Sequence, residues 1–221
     1  MSGNPRRSVQ GVSYPRSGHS LLVQFLKNYI GPTFHYCEYY TGCRKWPCVN
    51  KDNNFQKNHD FGLSLPICRD RPLLVQFRSP LYSIASNFAL LAEQAPDRFT
   101  LAGWERYALV SITAWRQWVH KWVLCLDHRD ALILDYDKVV NEPTDHLSRV
   151  LLFFGIRPEP VRLQSVVEQL RVRRRRSAHE FPFYDSDFLR WVENHAAEEI
   201  HAIGAVTMDE IEVEQRQQQG V

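Results

Sequence analysis

Ser13-Tyr14-Pro15-Arg16-Ser17-Gly18-His19-Ser20-Leu21-Leu22-Val23-Gln24-Phe25 is the stretch that decides the fold of this chain. Its small polar residues, Ser13, Ser17, Gly18 and Ser20, make a tight loop. A β-like stretch from about Ser8 to Tyr14 leads into it, and an apolar helical pattern (Leu21, Leu22, Phe25, Leu26, Tyr29) leads out. A strand–loop–helix of this kind aims backbone N–H groups and the positive end of a helix dipole at one point. That point suits a phosphate or another dianion. The loop departs from the Gly-x4-Gly-Lys-[Ser/Thr] phosphate loop. Six residues separate Gly11 from Gly18, His19 stands where the lysine belongs, and the cation is Arg16. Taken alone, the segment reads equally well as an ordinary strand-to-helix turn with a serine cap.

A second segment supports the anion reading. Leu73 to Phe77 is a short apolar run fit for a buried parallel strand. Arg78 ends it, and Pro80 opens a helix, where proline is tolerated in the first turn. Ser86 follows one or two turns into that helix. Two anion-binding groups at the carboxyl ends of two parallel strands suit a ligand with separated phosphates.

The periodicity predicts a strand at 8–14, a helix at 18–30, a strand at 73–77, a helix at 80–94, a long helix from Trp104 to Leu126, a strand at 131–135 and a helix at 143–155. Residues 31–60, rich in aromatics, asparagine and cysteine, read as irregular. Such alternation gives the fold class α/β: a central parallel sheet flanked by helices, with ligands at the strand ends. A helix at 160–176 ends in Arg171 and Arg173 to Arg176, and the glutamine-rich tail from 206 to 221 is expected to fray. No linker divides the chain, so residues 1–221 read as a single domain with its α/β core at 8–157 and a helical part at 158–205.

The two anion segments together resemble the cofactor signatures of the sulfotransferases that use 3′-phosphoadenosine 5′-phosphosulfate (PAPS). Tyr14-Pro15-Arg16-Ser17-Gly18-His19-Ser20 matches, in register, the Tyr-Pro-Lys-Ser-Gly-Thr-Thr loop that holds the 5′-phosphosulfate in that family. Arg78 and Ser86 reproduce its Arg-x7-Ser segment for the 3′-phosphate, and Lys57-Asn58-His59 resembles the Lys-x-His of cytosolic members, whose histidine is the catalytic base. Asp135-Tyr136-Asp137 resembles a Tyr-Glu-Asp segment whose tyrosine lies by the adenine. The resemblance covers residues 8–157 and implies the P-loop-NTPase-like sulfotransferase fold, PAPS as cofactor and the desulfated nucleotide (PAP) as product. It implies that Arg16, Ser17, Gly18, His19, Ser20 and Leu21 surround the phosphosulfate, with Arg78 and Ser86 on the 3′-phosphate and Tyr136 by the base. The family's Arg-Lys-Gly clamp is missing, and Arg174 and Arg175 are the candidates to replace it. His59 is the expected general base, with His19 its rival. Lys57 and Arg16 are expected to attend the transferring group, although an arginine is a poor proton donor.

Composition sets limits. Hydrophobic content of 44%, charged content of 24% and a net charge of +2 describe an ordinary globular chain without general affinity for nucleic acid. Residues 1–10 show no apolar signal segment and no apolar run reaches spanning length, so a cytoplasmic protein with no membrane partner is expected. An odd cysteine count of five argues for reduced thiols; the gap from Cys37 to Cys43 is wide for a zinc site while Cys43 to Cys48 just fits one, so ordinary free thiols and no metal are expected, with a metal site or local disulfide as the alternative. The aromatic segment 34–55 and Trp104, Trp115 and Trp118 suit either core packing or an apolar acceptor pocket. The partner is then a small-molecule, glycan or peptide acceptor. Two other classes fit the same pattern: a P-loop kinase using ATP and magnesium, for which Asp135 and Asp137 are the available carboxylates, and a non-catalytic nucleotide-binding protein.

Overall fold

The computed structural model describes residues 8–98, 100–126, 131–170, 183 and 185–218. A five-stranded, wholly parallel sheet runs in the order β2-β3-β1-β4-β5. Its strands are β1 (Val9–Ser13), β2 (Tyr36–Glu38), β3 (Phe55–Asn58), β4 (Leu73–Phe77) and β5 (Ala131–Asp135). β1 sits at the centre, with Gly11 beside Lys57 on one flank and beside Leu74 on the other. Every residue of β1 and of β4 is buried, which is why these strands read as short runs without polar alternation.

The helices are α1 (His19–Ile30), α2 (Pro80–Gln94), α3 (Leu101–Val119), α4 (Tyr136–Asn141), α5 (Pro143–Phe153), α6 (Pro160–Gln169) and α7 (Ser186–Gln218). They sort with the rest of the chain into two compact units. The first holds the sheet with α1, α4, α5 and α6. Its core joins Phe25 and Leu26 of α1, Phe55 of β3, Val150 and Phe154 of the α5 segment, and Leu163 of α6. The second holds α2, α3 and α7. There Trp104 packs between Phe88, at 5.0 Å, and Phe188, at 4.7 Å. Arg116 of α3 donates to Glu199 of α7 at 2.7 Å. The apolar stripes of three helices thus satisfy one another, and this is what groups the second unit apart from the sheet.

The sequence reading missed β2 and β3, which lie inside the stretch taken as irregular. Strands of three and four residues are too short to show an alternating pattern, and β3 is recognisable only by its burial beside β1. The helix expected at 143–155 is α5, opened by Pro143, and the short α4 ahead of it was not expected. α3 ends at Val119 and passes into a π-helical turn over His120–Leu124. α7 continues through 206–218, where fraying was expected. Among the described residues no helix is long and apolar enough to cross a membrane.

Gly11 is a packing glycine rather than a member of the anion loop. A Cβ there would lie 2.5 Å from the Phe55 ring and 3.1 Å from the Gln56 carbonyl oxygen. Phe55 is fully buried and meets Phe154 edge to face at 5.6 Å. Phe55→Ala is expected to cost about 3–5 kcal/mol. The check is a lowered denaturant midpoint with an unchanged slope.

Candidate active site at the carboxyl end of the sheet

The chain leaves β1 through Tyr14, whose N–H donates to the Gln76 carbonyl at 2.9 Å. Ser17 N–H then turns back to the Tyr14 carbonyl at 3.2 Å. Arg16 (φ 65°) and Gly18 (φ 78°) both adopt the left-handed conformation on either side of Ser17. Alternation of this kind gathers successive N–H groups on the inside of a turn. α1 starts at His19 with Gly18 as its cap and no side chain capping it. Among the described residues the amides of Gly18, His19 and Ser20 find no acceptor, and the Ser17 hydroxyl is buried without a partner. A buried orphan hydroxyl beside uncapped helix amides is a costly arrangement unless an anion completes it. The Leu21 amide is already committed, donating to the Gly18 carbonyl at 3.0 Å. The side chains of Arg16 and Ser20 are exposed.

His19 is buried at the first position of α1, its ring stacked on Phe55 at 5.5 Å. Its Nε2 lies 3.2 Å from the Tyr36 hydroxyl. Tyr36 donates to Glu38 Oε2 at 2.6 Å, and the same oxygen pairs with Lys57 Nζ at 3.2 Å. Because the single hydroxyl proton of Tyr36 points at Glu38, the tyrosine oxygen must accept from His19. The imidazole proton therefore sits on Nε2, and the buried Nδ1, which has no partner, carries the lone pair. Burial first, then the charges of Lys57 and His59, hold His19 well below the usual histidine range. Neutral and with its proton engaged, the ring offers an anion no donor; what His19 presents to the loop is its backbone amide. Burial, then Glu38, pushes the Tyr36 hydroxyl above its ordinary range.

Lys57 and His59 leave β3 on the same side, two residues apart, with Lys57 in register with Glu38 of β2. His59 Nδ1 lies 2.6 Å from the Ser13 carbonyl oxygen. A carbonyl only accepts, so Nδ1 bears the proton and Nε2 the lone pair. Tyr40 stacks on the imidazole at 6.2 Å, and Phe61 tilts against it at 5.1 Å. Tyr40 is itself fixed by donating to Asn58 Oδ1 at 2.8 Å. Burial and then Lys57 lower the His59 pKa to about 4, with the Ser13 carbonyl and Glu38 opposing. His59 is a neutral base at any pH near 7.

Arg78 follows β4 and is nearly buried. Its guanidinium lies over the Tyr136 ring at 4.7 Å and donates from Nε to Asp137 Oδ1 at 3.3 Å. Asp137 N–H in turn donates to Asp135 Oδ1 at 2.9 Å, which caps α4. The Tyr136 ring also packs against Gly18, so closely that a Cβ on that glycine would run into it. Tyr136 is thus the shared wall between the anion loop and Arg78. Ser86 lies on α2 in the second unit. Arg174 and Arg175 lie outside the described residues.

Sequence reasoning missed Tyr36 and Glu38, which fix His19 and Lys57, and the partnership of Asp137 with Arg78. The one available signal for the first pair was the i, i+2 spacing of Tyr36 and Glu38, which places both on one face of a strand.

Gly18→Ala meets two obstacles, a positive φ and the Tyr136 ring, and is expected to destabilise by about 1–3 kcal/mol. In a Tyr136→Ala background the cost should shrink, giving a coupling of about 0.5–3 kcal/mol in a double-mutant cycle. A second expectation concerns pH. The folded state holds His59 below its unfolded pKa, so the unfolded chain binds more protons as pH falls, and stability should drop from about pH 6.5 toward pH 4. His59→Asn should flatten that slope in denaturation curves taken across the range, with the share owed to His19 remaining.

No family model matches the chain, and no curated protein sequence matches it. Solved structures do. The mouse sulfotransferase SULT7A1 complexed with PAP superposes with a TM-score of 0.69 at 11% identity, over 95% of this chain and 89% of that one. Retinol dehydratase in a complex with retinol and PAP gives 0.63 at 15% identity, over 90% and 83%. A sulfotransferase from Alicyclobacillus acidocaldarius gives 0.52 at 11% identity, over 91% and 95%. Likeness at this level of identity is a likeness of backbone, and the backbone of this chain is the sulfotransferase fold.

Proposed function

We propose that this protein is a sulfotransferase that takes a sulfuryl group from PAPS and passes it to a hydroxyl or amine of an acceptor. The observation that carries the reading is the shared contact of Gly18 and Arg78 with Tyr136, which puts an uncapped helix start and a buried guanidinium at neighbouring strand ends. A nucleotide with phosphates at two ends asks for two such positions. Two of the solved structures with this backbone are complexes with PAP.

The residues fit the cofactor by their own unmet needs. The orphan Ser17 hydroxyl and the amides of Gly18, His19 and Ser20 would meet the phosphosulfate, with the exposed Arg16 and Ser20 side chains closing over it. Arg78 would take the 3′-phosphate and Tyr136 would stand against the nucleotide, while Ser86, Arg174 and Arg175 keep only the part that the resemblance in sequence gives them. When bound, PAPS supplies an activated sulfuryl group whose departure builds negative charge on the leaving phosphate. Preorganised N–H donors and a permanent cation lower the cost of that charge. His59 would remove the acceptor's proton at Nε2, since its Nδ1 proton is held by Ser13. Lys57 is half neutralised by Glu38, so its part is to keep His59 deprotonated as much as to meet the transferring group. Asp135 and Asp137 are occupied by a helix cap and by Arg78, which favours this reading over one in which they hold magnesium.

Titration with PAP against ATP tests the assignment. A preference for PAP of about 100-fold, worth about 2.7 kcal/mol, is expected. Equal binding, or tighter binding of ATP with magnesium, would overturn it. His59→Ala should then lower turnover about 10²–10⁴-fold while leaving PAP affinity intact. Near-full turnover in that variant would remove His59 from the mechanism without touching the nucleotide assignment.

A further inference from the structure

Behind the face that carries Tyr36 and Glu38, the intervening residue of β2, Cys37, points the other way. There it meets two more cysteines. The sulfurs of Cys37, Cys43 and Cys48 all lie within 4.8 Å of one another, and Cys37 and Cys43 Sγ are 3.2 Å apart. Tetrahedral thiolates around zinc, with Zn–S of ~2.3 Å, stand ~3.8 Å from each other. The cluster brackets that spacing. The gap from Cys37 to Cys43, wide for a zinc motif, is bridged by a loop that doubles back: Gly42 N–H donates to the Glu38 carbonyl at 2.7 Å, and a Cβ on Gly42 would lie 3.3 Å from Cys37 Sγ.

The surroundings are built to hold the three sulfurs in place. Gln56, in register with Cys37 on β3 and almost wholly buried, organises them. Its Nε2 donates to the Lys45 carbonyl at 2.6 Å and reaches Cys43 Sγ at 3.6 Å, while its Oε1 accepts from the Cys48 N–H at 2.6 Å. Arg71 donates to the Cys48 carbonyl at 3.3 Å. A side-chain N–H directed at a ligand sulfur, and ligand backbones tied by a buried amide, are the outer supports that metal–thiolate sites use.

We propose that Cys37, Cys43 and Cys48 bind a thiophilic divalent ion, zinc, through three thiolates, with the fourth tetrahedral position left to solvent. Soft sulfur donors select zinc over magnesium or calcium. The ion would release the thiol protons and take no part in any transfer of electrons. Its effect is mechanical: it would pin the 39–48 loop to β2 and β3, and that loop carries Tyr40, which stacks on His59 and donates to Asn58. The inference stands independently of the proposed sulfuryl transfer, and its test needs no activity.

The full chain, purified under reducing conditions and equilibrated with zinc, is expected to retain one zinc per chain after desalting. Replacing zinc with cobalt should give the thiolate charge-transfer band and the intense d–d absorption of a tetrahedral site. Cys48→Ser and Cys37→Ser should each lose the stoichiometric metal, whereas Cys125→Ser, an exposed cysteine elsewhere, should keep it. Should Cys48→Ser fail to fold, the cobalt spectrum of the unmodified chain decides the matter. A reduced, folded chain without stoichiometric metal, a cobalt spectrum lacking thiolate bands, or a Cys37–Cys43 disulfide in freshly isolated protein would each overturn the proposal.

Discussion

The bond from His59 Nδ1 to the Ser13 carbonyl joins the end of β3 to the end of β1, and the rest of the candidate site is organised around it. It has its geometry because the two strands run parallel in a register that pairs Gly11 with Lys57 and Val12 with Asn58. That register needs Gly11, since the Phe55 ring occupies the space a side chain would fill. One missing methyl in the central strand therefore lets β3 close on β1. The closed pair then sets the histidine one residue beyond the strand against the carbonyl at which the anion loop begins. A shift of β3 by a single residue would turn Lys57 and His59 to the opposite face.

Two neutral histidines beside a lysine need explaining, and the lysine is part of the answer, because a positive neighbour suppresses protonation of imidazole. Lys57 lowers both His19 and His59, and burial lowers them further. Glu38 keeps the arrangement tolerable by pairing with Lys57 and accepting from Tyr36. The result is a division of labour by environment. His19 has its proton tied to Tyr36 and is locked in the wall of the loop. His59 has its proton tied to backbone and carries its lone pair on the other nitrogen. A shared residue type thus holds its proton on different nitrogens because one ring faces a tyrosine and the other a carbonyl.

How much of this was legible beforehand depended on the length scale of each signal. The loop after β1, β4, β5 and the run of α1 were readable because a buried strand and a twelve-residue amphipathic helix leave patterns longer than chance. Arg16 and Arg78 stood out by type and place in the chain, and His59 and Tyr136 only through the resemblance to family motifs. β2 and β3 were not, being three and four residues long within an aromatic segment. Nor were the partners: nothing in the order of residues says that Tyr36 will meet His19, or that Asp137 will meet Arg78 across 59 positions of chain. The division into two units was equally hidden, since it rests on the stripes of α2, α3 and α7 finding one another across a long gap in sequence. The thiol cluster shows the same limit, for spacing along the chain spoke against it and the doubling back at Gly42 undoes that spacing.

Tyr136 ties the loop after β1 and Arg78 into one arrangement rather than two. Its ring touches Gly18 on one side and supports the Arg78 guanidinium on another. Gly18 is consequently required twice, once for its left-handed backbone and once for its bareness, so no other residue satisfies both demands. Asp137, next in sequence, takes the Nε edge of Arg78 and is itself fixed by Asp135. Buried arginines are tolerated when paired and stacked. This one is oriented by a carboxylate and a ring that belong to the start of α4, whose own position is set by β5 pairing with β4. The cation, the glycine and the tyrosine are therefore held by three adjacent parallel strands ending at the same level. That arrangement suits the ligand proposed above, which carries negative charge at two points rather than one.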